Sequence, residues 1–242
     1  MKKLITICAV ITMMLALSSS VLAGTIQINV QPADVPDETL PRVNIGDAPA
    51  GFGPDSWQGP ATGKSNWHAR YLLDGDALST LFPADAATMT IADLDEISYF
   101  TKRPSGTPAG RDWWVQIYTR CTGTGDNSSW YHDRFMNNYA DHTAIDTWTQ
   151  YSTDLGAMTF HSNGLGVIGE STLAELITAA GSQEIEMISV QTNSAWNGFD
   201  GYMDGLEITL TNANVGQVNF VPEPATIGLL GLGALSLLRR KK

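Results

Sequence analysis

Trp113-Trp114-Val115-Gln116-Ile117-Tyr118-Thr119-Arg120 alternates side-chain character residue by residue. Successive side chains of a strand point to opposite faces. Trp113, Val115 and Ile117 therefore share one face, which reads as core. Trp114, Gln116, Tyr118 and Arg120 share the other. An aromatic ring covers the apolar C–H face of a pyranose, and interleaved polar groups take its hydroxyls, so this second face has the chemistry of a sugar site. The next strand candidate, Trp130 to Met136, sets Trp130, His132 and Arg134 on one face and Tyr131 and Phe135 on the other. Placed beside Trp114, the first set would extend a platform. The competing expectation is that these aromatics pack beneath a loop or a second sheet, which alternation alone does not distinguish.

Outward from this stretch the chain reads as short strands separated by turns. Candidates are Thr25–Val30, Leu78–Phe82, Met89–Leu94, Ile97–Thr101, Thr147–Thr153, Ile185–Thr192, Tyr202–Leu210 and Val215–Phe220. Residues 31–64 are rich in Pro, Gly and Asp and read as a long surface loop, part of which Trp57 and Trp67 should pin down. Ser171 to Ala180 reads as the one helix of the body, with Thr172 and Glu175 as a capping box ahead of Leu173, Leu176 and Ile177. Many short strands and little helix predict an all-β, two-sheet sandwich over residues 24–220.

Both ends of the chain differ from this body. Lys2-Lys3, an apolar run from Leu4 to Leu17 and Val21-Leu22-Ala23 predict a secretory signal peptide cut after Ala23. Cys8 leaves with it, so Cys121 is the single cysteine of the mature body and forms no internal disulfide. At the other end stand Pro222-Glu223-Pro224, the apolar run 225–238, and Arg239-Arg240-Lys241-Lys242. As a helix this run is about 21 Å long, short against a hydrocarbon core of roughly 30 Å. It predicts a transmembrane-type helix that spans with local thinning and with its basic end on the cytoplasmic side.

A Pro-Glu-Pro triplet, a short apolar helix and a terminal basic cluster, in that order, resemble the PEP-CTERM sorting signal of bacterial secreted proteins. The resemblance implies recognition of the tail by exosortase after export through the secretion machinery. It also implies transient anchoring in the membrane and delivery to the cell surface or extracellular matrix. Within the body, Asp95–Lys102, Asp112–Thr119, Trp130-Tyr131 with Arg134, Ala195–Leu210 and Val215–Phe220 look like the jelly-roll domains such proteins carry. That likeness implies a concanavalin-like or carbohydrate-module-like sandwich.

The chain carries 25 acidic and 14 basic residues. Residues 24–220 hold 24 of the acidic and eight of the basic ones, a formal charge of −16. Such a surface repels phosphate and disfavours nucleic acid. It suits a soluble extracellular domain and divalent cations. Asp200 and Asp204 bracket Gly201-Tyr202-Met203, and Asp204 falls in register with Leu206, Ile208 and Leu210. A carboxylate in that row needs a partner: turn N–H groups, or a structural Ca²⁺, as related sandwich modules often hold. Glu184 and Glu186 on one strand, and Asp93 and Asp95 on another, repeat the two-residue spacing that sets carboxylates roughly 7 Å apart, within the range of an inverting glycosidase. His68, His132, His142 and His161 stand at no metal-ligand spacing, and no nucleotide or hydrolase motif occurs. The expectation is a non-catalytic, exported envelope or matrix protein that is structural or binds extracellular polysaccharide. An extracellular polysaccharide hydrolase or lyase is the alternative.

Overall fold

The computed structural model describes residues 24–31, 41–59, 69–120, 131–156, 158–162, 170–193, 196 and 199–221. The strands are β1 (Thr25–Val30), β2 (Arg42–Asn44), β3 (Ser56–Gln58), β4 (Arg70–Leu73), β5 (Leu94–Lys102) and β6 (Trp114–Arg120). They continue as β7 (Tyr131–Asn137), β8 (Thr149–Ser152), β9 (Phe160–Ser162), β10 (Ile185–Gln191), β11 (Tyr202–Leu210) and β12 (Val215–Phe220). Two helices interrupt them, α1 (Gly75–Leu81) and α2 (Leu173–Ala180).

The strands form two sheets around one core, a β-sandwich as expected. A five-stranded sheet runs β4-β10-β6-β7-β9, and a seven-stranded sheet centres on β11. β11 pairs β5 along one side, and β12 and β3 along the other. Every named pairing is antiparallel except that of β1 with β12. The core joins the sheets through large rings. Trp57 of β3 lies 4.7 Å from Phe220 of β12, and Tyr71 of β4 meets Phe220 edge-on at 5.8 Å. Trp113, Val115 and Ile117 are 0% exposed, the core row that alternation assigned.

Three parts of the sequence reading are corrected. Leu78–Phe82 is helix, not strand: α1 begins where the Asp74 carboxylate accepts from Ala77 N at 3.2 Å. It buries Leu78 and Leu81, one turn apart. Residues 89–94 hold a 3₁₀ turn, Ile91–Asp93, and strand begins only at Leu94. Residues 31–64 are not one loop, because β2 and β3 lie within them and Trp57 is fully buried. Trp67, Cys121, the signal segment 1–23 and the tail helix 225–238 lie outside the described residues.

Candidate functional site

Strand register assembles the face of the five-stranded sheet that points away from the core. Arg70, Gln191 and Trp114 form one cross-strand row. Leu72, Ser189, Gln116, Met136 and His161 form the next, across all five strands. Met187, Tyr118 and Arg134 form the third. The pairing of β6 with β7 sets Arg134 beside Tyr118. Trp130 lies outside the described residues; of His132 only the backbone, on β7, is described.

The centre of this face is closed to solvent. Trp114, Gln116 and Tyr118 are 5%, 2% and 6% exposed. Tyr139 stacks on Trp114 with ring centroids 4.8 Å apart, and Trp196 meets Trp114 edge-on at 5.5 Å. The ring that reaches solvent is that of the half-buried Tyr139, whose hydroxyl pKa burial raises. Gln191 donates to Gln116 Oε1 at 3.3 Å, and Ser189 donates to Gln191 Oε1 at 3.4 Å. Two donors in the first row, Trp114 Nε1 and Arg70 Nε, are buried with no acceptor. A buried unpaired donor costs about 1–3 kcal/mol, a cost that no acceptor among the described residues offsets here.

The carboxylate pairs sort differently. Arg120 holds both Glu184 and Glu186, through Nη1 at 2.8 Å and Nε at 3.1 Å. Asp93 caps its own 3₁₀ turn, accepting from Thr90 N and Oγ1 at 2.8 Å each, whereas Asp95 is exposed on β5. Asp200 is exposed and pairs with Arg42 at 2.6 Å. Asp204 is 0% exposed, and its Oδ1 accepts from Gly205 N at 2.7 Å and Phe220 N at 2.9 Å. Asp204 does not continue the row of Leu206, Ile208 and Leu210. Asp204 and Glu207 pair with Phe100 and Ser98, so three steps on β11 match two on β5. This bulge, with Gly205 at φ +63°, breaks the alternation.

One polar cluster has no counterpart in the sequence reading. Asp112 Oδ2 accepts from Thr101 Oγ1 at 2.8 Å and lies 3.2 Å from His142 Nδ1 and 3.8 Å from Arg103 Nε. Asp112, His142 and Arg103 are 0%, 1% and 5% exposed. The His142 ring stacks on Tyr151 at 3.6 Å, and its Nε2 lies 3.5 Å from the Tyr99 hydroxyl. Burial, reinforced by the Asp112 charge, raises the pKa of both tyrosines. A carboxylate orienting an imidazole is a catalytic arrangement in an open site, but here both groups lie inside the protein and lock strands together. Its members come from β5 and the residue after it, the approach to β6, the segment after β7, and β8, and no local pattern links them.

Among the described residues no three His, Cys, Asp or Glu side chains group as a metal site, and no helix is long and apolar enough to cross a membrane. Pro222, Glu223, Pro224 and the terminal Arg239, Arg240, Lys241 and Lys242 lie outside the described residues. No curated protein matches the chain. Residues 220–242 match the PEP-CTERM protein-sorting motif, which implies an exported protein sorted to the cell surface and processed by exosortase.

Proposed function

We propose that this exported protein is a non-catalytic component of the extracellular polymer layer, with a jelly-roll body that binds glycan on the outer face of its five-stranded sheet. The observation that carries the reading is the Arg70–Gln191–Trp114 row. It holds two donors without acceptors and lies beneath an aromatic ring that reaches solvent. A saccharide supplies a C–H face for such a ring and hydroxyls for the partly exposed side chains of the same row. The aromatic contact belongs to Tyr139, with Trp114 as its backing. The partly exposed Gln191 and Arg70 share the row of Trp114 beneath it.

Catalysis by Glu184 and Glu186 fits less well, because Arg120 ion-pairs with both carboxylates. The test is titration of the purified protein with its host's extracellular polysaccharide, followed by tryptophan fluorescence. A saturable change that Tyr139→Ala and Gln191→Ala each weaken supports the reading. A folded wild-type protein that gives no saturable change overturns it, as does release of sugar fragments during the titration.

A further inference from the structure

The end of α1 lies against the start of the β1–β12 ladder. Gly216, the register partner of Ile26, has no room for a side chain: an added Cβ would stand 2.5 Å from the Phe82 ring and 3.1 Å from Leu81 Cβ. Two residues back along the same ladder, Gly24 lies beside Asn214, since Thr25 pairs with Val215 and Val215 N donates to Gly24 O at 3.1 Å. The chain leaving α1 reaches the same place at Asp85. Gly24, Pro83, Asp85 and Asn214 are among the residues that line one cleft of about 200 Å³ there. In a parallel ladder the N–H and C=O of one residue face the same neighbouring strand. A Gly24 carbonyl turned to Val215 therefore leaves the Gly24 nitrogen turned to the 211–214 turn.

The half-buried Asp85 is held firmly but carries no cation. Asn212 Nδ2 donates to its Oδ1 and Asn214 Nδ2 to its Oδ2, each at 3.0 Å. Both amides belong to the β11–β12 turn, which Ala213 closes with φ +64° and an N–H to Leu210 O at 2.7 Å. Among the described residues no Lys, Arg or His pairs with Asp85. No other ionisable side chain lines the cleft. β1 and β12 contain none, and α1 carries Asp76 in its first turn, at the end away from Asp85. On β11, Asp204 is taken up by Gly205 and Phe220, and Glu207 by Gln217 at 2.6 Å. Asp93 lines the neighbouring cleft beyond Asp85 and caps Thr90.

Export changes what stands at Gly24. While the leader is attached, its nitrogen is a neutral amide. The expected cut hydrolyses the Ala23–Gly24 bond: one water is added, Ala23 leaves as a carboxylate, and Gly24 keeps an amine that is protonated below its usual pKa of about 7.7–8.0. We propose that this α-ammonium is the ligand of the cleft and pairs with Asp85. A carboxylate already fixed by two amides accepts it without reorganisation. The pair ties β1, the edge strand of its sheet, to the β11–β12 turn. The uncut chain lacks this tie, so leader removal tightens the edge that joins the two ends of the body. The proposal rests on the expected cut and on the export that the sorting motif implies, and is independent of glycan binding.

The experiment uses the chain as its host exports it, with the first residue read by mass spectrometry. The α-amine is titrated through the pH dependence of its acetylation rate, in the wild type and in Asp85→Asn. The expected wild-type pKa stands about half a unit above that of a free α-amine, the size of effect that a partly exposed ion pair supplies. It returns to the ordinary range in Asp85→Asn. Because the folded-state pKa is raised, the pair's stabilisation is complete below about pH 7.7 and fades as pH rises through the raised value. Acetylating the amine should lower the Tm at pH 6.5 by about 1–3 °C in the wild type and leave it unchanged in Asp85→Asn. The difference between these two responses reads the pair, since Asp85→Asn by itself also loosens the grip on Asn212 and Asn214. If that variant does not fold, the wild-type titration decides alone. A first residue other than Gly24, a wild-type amine that titrates in the ordinary range, or acetylation that shifts the Tm equally in both proteins overturns the proposal.

Discussion

Asp112 and Glu184 are both paired with arginine, yet their surroundings give the pairs different weight. Arg120, Glu184 and Glu186 are 37–49% exposed at their side chains, so water screens them and their loss should cost less than about 1 kcal/mol. Asp112 is buried, and it also receives the Thr101 hydroxyl and its neighbour's backbone N–H, the latter at 2.8 Å. Removing it strands the Arg103 guanidinium inside the protein. Asp112→Ala should therefore destabilise by about 3–5 kcal/mol, the range for breaking a buried pair from one side. Glu184→Ala should move the urea midpoint little. Urea unfolding followed by tryptophan fluorescence checks both, and equal small shifts would mean that Asp112 carries no such load.

Elements were legible where their signal is local. The limits of β1, β11 and β12 follow from alternation and turns, and the α2 capping box forms as Thr172 and Glu175 predict: Glu175 N donates to Thr172 Oγ1 at 3.3 Å and Thr172 N donates to Glu175 Oε2 at 2.8 Å. An N-cap of this kind contributes about 1 kcal/mol. Thr172→Ala should cost that amount, read as a lower urea midpoint at unchanged slope. Thr172→Ser should restore most of it. The α1 signal was present but short: Leu78, Leu81 and Phe82 stand at helical spacing behind Asp74, and so short a segment ending at Pro83 also fits a strand. The β11 bulge was not legible, since the extra residue shows only when β5 is laid beside it. The face of Trp114 was legible in register, whereas its exposure was left open. Its cover is Tyr139 and Trp196, which lie 25 and 82 residues further along the chain. Alternation sorts a strand's two faces and carries no information about what lies above them.

At the scale of the molecule, β1 and β12 join the two ends of the body. Gly24 O accepts from Val215 N at 3.1 Å, and Val30 O accepts from Val221 N at 2.9 Å, so the parallel ladder runs the length of both strands. Its order matters for export. On the expectation of an N-terminal signal peptide, β1 should cross the membrane before β12, so this sheet edge should close only once Phe220 has emerged. The ladder ends at Val221, and Pro222 follows without a linker. Phe220 is fully buried and is the last core residue among those described. Sorting and folding should then separate. Changing Pro222, Glu223 and Pro224 together to Ala should leave the thermal unfolding of the body unchanged, while full-length protein accumulates in the inner-membrane fraction in place of the processed form. Fractionation with immunodetection reads the second effect and calorimetry of the purified variant the first. A lowered Tm would show that the triplet supports β12. Unchanged processing and location would show that the tail is not read through its triplet.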